Sequence, residues 1–433
     1  MVHVGGGLHR YATDAGWRIP HFEKMLYDQA LFVLASTEAY EATKNKRFRT
    51  MAVECIAYVL RDLRDPGGAF YTAEDADSPG GEGAYYTWTK DELAAVGADA
   101  LFTLTPLPEN GHDTGEPRFI LSRNMLADPA LPEPVREKLR AIRETRARPA
   151  RDDKILTDTN ALFCQALARA GRAFGEPEYI RAAETAMDFL LSNLADKDGT
   201  LFHRYRDGER AVRAFADDYA QVIAALIALY EATFDPAYIT KALKFARILM
   251  EEYEDPEEGG FFTVAKGDSE LFARKKEWYD GAYPSANAAA FGALSWLART
   301  TKDPDIAASA GACSLFLAGA AERAPSATAA YLAELARFAK DAERIDLVIA
   351  GDPAAEDTRA LITAADNRYL PGLITVLRPT GTAGDAIDEL VPTARGRTML
   401  AGRATAYLCG GHTCRPPVQD PGELRWMLEK IGG

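Results

Sequence analysis

Four residues able to hold or move a proton, His21, Glu23, Lys24 and Asp28, crowd one short stretch, Trp17 to Ala30, whose other members are mostly apolar. An imidazole set beside carboxylates is the pairing that general acid/base chemistry uses near neutral pH. The stretch is predicted to open a helix, because Pro20 suits a first helical position, where its missing N–H costs nothing. At about 100° per residue, His21, Lys24 and Asp28 then share one stripe, while Phe22, Met25, Leu26 and Val33 turn elsewhere. His21 is the candidate general acid/base, with Asp28 or Asp218 orienting it or the substrate. The plain alternative is a solvated helix face.

A repeat must position these groups. Four copies of a helical hairpin align on Ala30, Ala161, Ala220 and Ala288, and an apolar or aromatic residue stands eighteen positions after each, at Phe48, Tyr179, Tyr238 and Ile306. Short polar turns such as Gly-Glu-Pro-Glu and Phe-Asp-Pro-Ala end one helix and start the next. After the first three copies comes a glycine-led aromatic element, Gly67 to Phe70, Gly199 to Phe202 and Gly259 to Phe262. The wider gap between the first and second anchors leaves room for a degenerate unit at 89–150, with its outer helix at 132–148. Such hairpins bury their apolar faces only by stacking, which gives an α-solenoid or a closed toroid. Long variable loops at 65–88, 105–124, 196–214 and 255–283 favour a closed α/α toroid over residues 1–341. Residues 342–433 read as a small α/β appendage, with strands at Ile345–Gly351, Leu373–Leu377 and Ala404–Cys409, a helix at Ala354–Ala365 and a closing helix at Glu423–Lys430. Gly351-Asp-Pro has neither phosphate-loop spacing.

The residues just before the anchors are polar in every copy: Tyr27-Asp28-Gln29, Asp158-Thr159-Asn160, Asp217-Asp218-Tyr219 and Ser285-Ala286-Asn287. On an inner ring they meet at one mouth, which suits a polar small ligand; Asp158 and Ser285 also suit helix N-caps. Residues 70–88 are expected to form a two-strand ribbon over that rim. Its Glu74, Asp75, Asp77 and Glu82 alternate with Tyr71, Tyr85, Tyr86 and Trp88, a mixture that fits sugar hydroxyls and ring faces. A calcium loop starting at Asp75 would need a bidentate Glu where Tyr86 stands. His9 and His203 share a Leu/Phe-His-Arg-Tyr pattern, and a His pair across a cavity could shuttle protons. Cys409, His412 and Cys414 lack zinc spacing and a fourth ligand, so neither metal nor cofactor is expected.

A net charge of −14 argues against nucleic acid or an anionic membrane as partner. The near-apolar stretches Ala288–Ala298 and Ala310–Ala321 fall short of the ~20 residues of a bilayer span and are expected to be core helices. Met1–Gly7 has no leader character, which makes the cytoplasm the expected location. Five scattered cysteines suggest buried or free thiols rather than a disulfide framework.

The motifs Gly-Gly-Leu-His-Arg-Tyr, Pro-His-Phe-Glu-Lys-Met-Leu-Tyr-Asp, Ala-Glu-Asp-Ala-Asp-Ser and Asp-Gly-Ala-Tyr-Pro-Ser-Ala-Asn resemble the YyaL and spermatogenesis-associated family of thioredoxin-domain-containing proteins, from residue 5 to Cys414-Arg-Pro-Pro-Val. The resemblance implies an (α/α)6 toroid similar to N-acylglucosamine 2-epimerase and some glycosidases. It also implies an upstream thioredoxin-like domain and a first toroid hairpin outside this sequence, so the expected (α/α)6 toroid lacks its first hairpin and redox chemistry is not carried over. Two departures touch the mouth: Leu156-Thr-Asp-Thr-Asn-Ala replaces the usual Leu-Thr-Ala-Trp-Asn-Gly, and Tyr283 and Ala286 stand for an acidic residue and a glycine.

The expected function is a sugar epimerase or isomerase working by acid/base chemistry in the toroid mouth. The alternatives are a glycoside hydrolase with paired carboxylates such as Asp28 and Asp218, or a non-catalytic toroid binding a ligand or partner. Catalytic roles fall to His21, Asp28 and Asp218. Ligand contacts fall to His9, Arg10, Glu74, Asp75, Asp77, Trp88, Asn160, Tyr219, Trp278, Asp280 and Asn287. The partner is a sugar-like small molecule, with self-association where the ring is open.

Overall fold

The computed structural model describes residues 2–108, 117–123, 131–267, 273–338, 345–366, 369–410 and 413–431. Its first hairpin pairs α1 (Leu26–Thr43) with α2 (Lys46–Tyr58), which runs into a π-helical turn at Val59–Leu63. An insertion holding α3 (Lys90–Ala94) and α4 (Glu133–Glu144) follows. Three further hairpins are α5 (Thr157–Phe174) with α6 (Pro177–Asn193), α7 (Ala216–Thr233) with α8 (Pro236–Tyr253), and α9 (Ala286–Thr301) with α10 (Pro304–Arg323). A fifth inner helix, α11 (Ala329–Phe338), comes next. The helices α1, α5, α7, α9 and α11 pack on one another in that order, each of the first four carrying its outer partner. This is an α/α toroid. The anchor alanines are buried on the inner helices, where a methyl group leaves room for close helix approach.

The hairpin turns repeat in detail. The inner helices end on a left-handed residue, Lys44, Gly175, Phe234 and Lys302. The next residue precedes the outer helix: Asn45, Asp235 and Asp303 accept backbone N–H bonds there, whereas Glu176 makes no side-chain cap. The glycine-led elements are tight turns as well. Gly68, Gly199 and Gly259 donate to the carbonyls of Asp65, Asp196 and Asp255 at positive φ, a conformation that favours glycine.

Three expectations need correction. Residues 89–150 are not a ring unit, because α1 packs directly on α5; α4 does form where the outer helix was expected, but it joins Trp88, Leu93 and Val4 in a separate small core. The 70–88 ribbon shrinks to Asp77–Ser78 paired with Gly81–Glu82, while Ala73–Glu74 lies between Lys24–Met25 and Arg151–Asp152. The apolar stretch at Ala310–Ala321 belongs to α10, an outer helix. By length and composition α10 could cross a membrane, yet it packs on α9 with a third of its most apolar window buried.

The C-terminal segment forms a mixed sheet. Ile345–Ala350 pairs parallel with Leu373–Arg378 across α12 (Glu356–Asp366) and antiparallel with Thr405–Gly410, which carries Thr413–Cys414 at its edge. Helices α13 (Thr382–Leu390) and α14 (Pro421–Glu429) complete it. Its apolar residues are continuous with the ring core. Cys55, Cys164 and Cys313 are free and buried, as expected. Cys409 and Cys414 instead form a disulfide across the edge hairpin, because a sequence separation of five spans a two-strand turn; His412 lies outside the described residues.

Candidate functional site

The polar residues ahead of the anchors divide into two sets. The residue immediately before each anchor is a clamp on the loop that precedes its helix. Gln29 accepts the N–H of Leu8 and donates to its carbonyl; Asn160 does the same for Phe70, and Asn287 for Phe261. The Tyr219 hydroxyl accepts from Leu201 and donates to Gly199. All four are buried. Asn160, Tyr219 and Asn287 were expected to bind ligand; their amide and hydroxyl chemistry is consumed by backbone groups that would otherwise be buried without partners. Cys55 and Cys313, at equivalent places on α2 and α10, add thiol contacts to Gln29 and Asn287.

One step further from the anchors the groups converge. Asp218 lies in the first turn of α7, fully buried. Its carboxylate accepts the N–H of Phe215 at 2.8 Å and that of Asp158 at 3.0 Å, and meets His203 Nδ1 at 3.0 and 3.1 Å. Asp158, in the first turn of α5, accepts from Thr159 N–H and from the Tyr283 hydroxyl at 2.9 Å. It is therefore not the N-cap that its type suggested, whereas Ser285 does cap α9. Asp217, beside Asp218 and half-buried, makes no hydrogen bond to another described residue, and neither does His203 Nε2. Two groups of the cluster are thus free to meet a ligand.

Burial and crowding tune the cluster. Burial, reinforced by the neighbouring carboxylates, pushes Asp158 up to about 6 and Asp217 up to about 7. Burial works to lower His203, but its hydrogen bond and ion pair with Asp218 prevail and hold it at about 9. Buried beside Asp158, Tyr283 is raised well above the ordinary phenol range. Asp158, His203 and Asp218 each offer an atom within 4.8 Å of the others, the only group of this kind among the described residues that could hold a metal ion. A protonated imidazole tied to a carboxylate makes the arrangement an acid/base pair as it stands.

His21 and Asp28 form a second cluster. Pro20 and His21 precede the helix, which begins at Leu26, because Lys24–Met25 is spent pairing with Ala73–Glu74. The expected stripe of His21, Lys24 and Asp28 therefore does not exist. His21 Nδ1 lies 2.7 Å from Glu82, its Nε2 is 3.6 Å from Glu23, and its ring stacks on Tyr11. Arg10 pairs with Glu23 and lies over the Tyr27 ring. Asp28 keeps Oδ2 buried without a partner, and burial lifts it to about 7. The ring contact of Tyr27 with Tyr283 joins the two clusters, but His21, Asp28 and Asp218 do not share a partner.

Lys24 of the expected stripe and several of the expected ligand residues have partners within the fold. Lys24 is buried between the Tyr58 and Tyr86 rings and donates to Gly6 O; burial takes it down to about 7. Glu74 is buried, accepting from Tyr58, Tyr86 and Arg148. Trp88 is buried under Arg146. Asp280 ties the N–H groups of Ser285 and Ala330. Asp75 and Asp77 are exposed and bond within their own turn, and Trp278 is half-buried with its ring edge-on to Tyr279. His9 faces Phe22 O, and burial then Lys24 lower its pKa. The two Leu/Phe-His patterns are out of step, because the clamped residue is Leu8 in one and Leu201 in the other, so His9 is its immediate successor and His203 is two residues on. His203, Asp217, Asp158 and Tyr283 are the residues that motif spacing undervalued; the signal for them was the double Asp ahead of the third anchor.

No family model matches the chain. Among solved structures, a mannosidase of glycoside hydrolase family 76 from Bacteroides thetaiotaomicron VPI-5482 superposes with a TM-score of 0.47 at 12% identity, covering 91% of this chain and 95% of that one. A sugar epimerase from a ruminal bacterium gives 0.44 at 10% identity, covering 89% and 79%. Spermatogenesis-associated protein 20 of Mus musculus is 31% identical over 480 aligned residues, 99% of this chain. The chain spans 60% of that relative's length. Over nearly its whole extent the chain is similar to spermatogenesis-associated protein 20.

Proposed function

We propose that the chain is a sugar-directed acid/base enzyme of the isomerase type, with its reacting groups at Asp217 and His203. The observation that carries this is the Asp218–His203 pair. Nδ1 is fixed by a buried carboxylate, Nε2 is left open, and a second carboxyl of near-neutral pKa stands beside it with no partner of its own. Asp217 would take the proton from the carbon next to the carbonyl and return it to the neighbouring carbon. His203 would give its proton to the carbonyl oxygen as charge develops there and take one back from the neighbouring hydroxyl, whose oxygen becomes the new carbonyl. His21, the sequence-based choice, is engaged by Glu82 and stays outside this scheme.

The test is proton exchange at C2 of an aldose and ketose panel in deuterated water. Exchange is expected to rise as pH passes about 7, where Asp217 loses its proton, and to fall as pH passes about 9, where His203 does. Asp217→Asn should abolish exchange, and His203→Gln should lower it by about 10²–10⁴-fold. A His21→Ala variant should keep it. Full exchange in Asp217→Asn would overturn the assignment.

A second reading has its own support, the crowding of three carboxyl groups, Asp158, Asp217 and Asp218, around the His203 imidazole, because paired carboxyls are what glycoside hydrolysis uses. Sugar release from glycosides without C2 exchange would select it.

A further inference from the structure

Below the rim cluster the five inner helices enclose an axial cavity of about 220 Å³. Its upper wall is apolar, formed by Leu31, Leu162, Ile227 and Ala288 among others. Toward the C-terminal ends of the inner helices it shares Glu38, Arg169, Glu231, Glu334 and Arg337 with a second cavity of about 160 Å³, which adds Glu41, Arg172 and Asp366. Five carboxylates therefore face three guanidinium groups across the two spaces.

Ion pairing leaves a remainder. Arg169 pairs with Glu38 at 3.0 Å, Arg172 with Asp366, and Arg337 with Glu231 at 3.7 Å. Glu231 also accepts from the indole N–H of Trp296. Glu41 makes no hydrogen bond to a described residue, and burial raises its carboxyl above the ordinary range. Glu334 keeps Oε2 buried with no hydrogen bond, its nearest guanidinium nitrogen being 3.9 Å away. Gly292 makes room for that carboxylate, since a Cβ there would stand 2.7 Å from its carboxyl carbon. Higher in the cavity, the Gln221 amide lines the wall at 2% exposure and has no hydrogen-bond partner among the described residues. Buried polar groups rarely stay unpaired without a reason.

We infer that the axial cavity is a binding site for a primary amine carried on a short hydrocarbon stem. The stem would lie against the apolar upper wall, and the ammonium would give Glu334, and Glu41 in the adjoining space, a hydrogen-bonded cation, where Arg337 stands 3.9 Å from Glu334 and Arg169 and Arg172 act on Glu41 only through space. Nothing in this inference depends on the rim chemistry.

Titration calorimetry of the whole chain with hexylammonium chloride tests it, with 1-hexanol and sodium hexanoate as comparators. Saturable one-to-one binding of hexylammonium is expected, with hexanol at least tenfold weaker and hexanoate silent. Glu334→Gln should weaken hexylammonium binding about tenfold while leaving hexanol unchanged; Glu41→Gln serves the same purpose if the first variant does not fold. Equal affinity for hexylammonium and hexanol, no saturable binding of hexylammonium, or undiminished binding in the double Glu41→Gln, Glu334→Gln variant would each overturn the inference.

Discussion

At the residue scale, the clamps make the firmest claim. Asn287 satisfies both the N–H and the carbonyl of Phe261 in a fully buried setting and also donates to Glu277 O. Asn287→Ala leaves these groups unpaired, at about 1–3 kcal/mol for each buried orphan. The expected loss in chemical denaturation is about 2–4 kcal/mol, and a loss below about 0.5 kcal/mol would show that water or a shifted loop replaces the amide. Asp28 supplies a prediction with a pH sign. Burial raises its folded-state pKa from 3.8 to about 7, so its contribution to stability is fully present below about pH 4 and is lost as pH rises through 7. Asp28→Asn should therefore raise the thermal midpoint at pH 8 and leave it unchanged at pH 4. Equal shifts at both values would place the benefit elsewhere than in ionisation. The residue scale is also where sequence was least informative. An amide that grips a peptide group and one that grips a sugar hydroxyl use the same donor and acceptor, so Asn160 and Asn287 could not be sorted by type. His203 could be sorted only once Asp218 was seen beneath it.

At the element scale, the hairpin turns offer a comparison that the chain makes within itself. Four equivalent turns need a left-handed residue, and only Gly175 supplies it without steric cost. Lys44 and Lys302 adopt φ of 54° and 59°, a conformation that costs a side-chain-bearing residue roughly 1–2 kcal/mol. Lys44→Gly and Lys302→Gly should each stabilise the chain, by about 0.5–1 kcal/mol after the extra flexibility of the unfolded glycine is subtracted. Gly175→Ala should destabilise it by about 1 kcal/mol. Midpoints in urea that fall for both lysine variants would mean that their side chains hold the turn in ways that outweigh the strain. The turns were legible in sequence because polar caps and prolines mark them, and the four anchors were legible because close helix packing tolerates little but alanine. The start of α1 was not. Pro20 is a permissive helix opener, but strand pairing of Lys24–Met25 with residues nearly fifty positions away delays the helix to Leu26, and no local pattern records that partner. The insertion was misjudged for a related reason: α4 has helical periodicity, but periodicity does not say which core a helix joins.

At the scale of the whole molecule, the ring and the C-terminal sheet are fastened together by the same inner helices that carry the rim. Arg172 of α5 reaches Asp366 of α12, Arg299 of α9 reaches Asp346 and the Gly372 carbonyl, and Arg337 of α11 reaches the Pro371 carbonyl. Apolar packing runs through without a break. A boundary near residue 341, drawn where the composition changes, would then separate two sequence patterns rather than two independently melting bodies. Calorimetry of the full chain is expected to show one transition, with calorimetric and van't Hoff enthalpies in agreement. Removing one partner of the Arg172–Asp366 pair, by Arg172→Met or Asp366→Leu, should cost about 1–3 kcal/mol, because the remaining charge is left poorly solvated, while the double variant should recover most of that loss. Two resolved transitions, with only the upper one displaced by Arg172→Met, would show that the sheet unfolds on its own and that the arginines merely dock it.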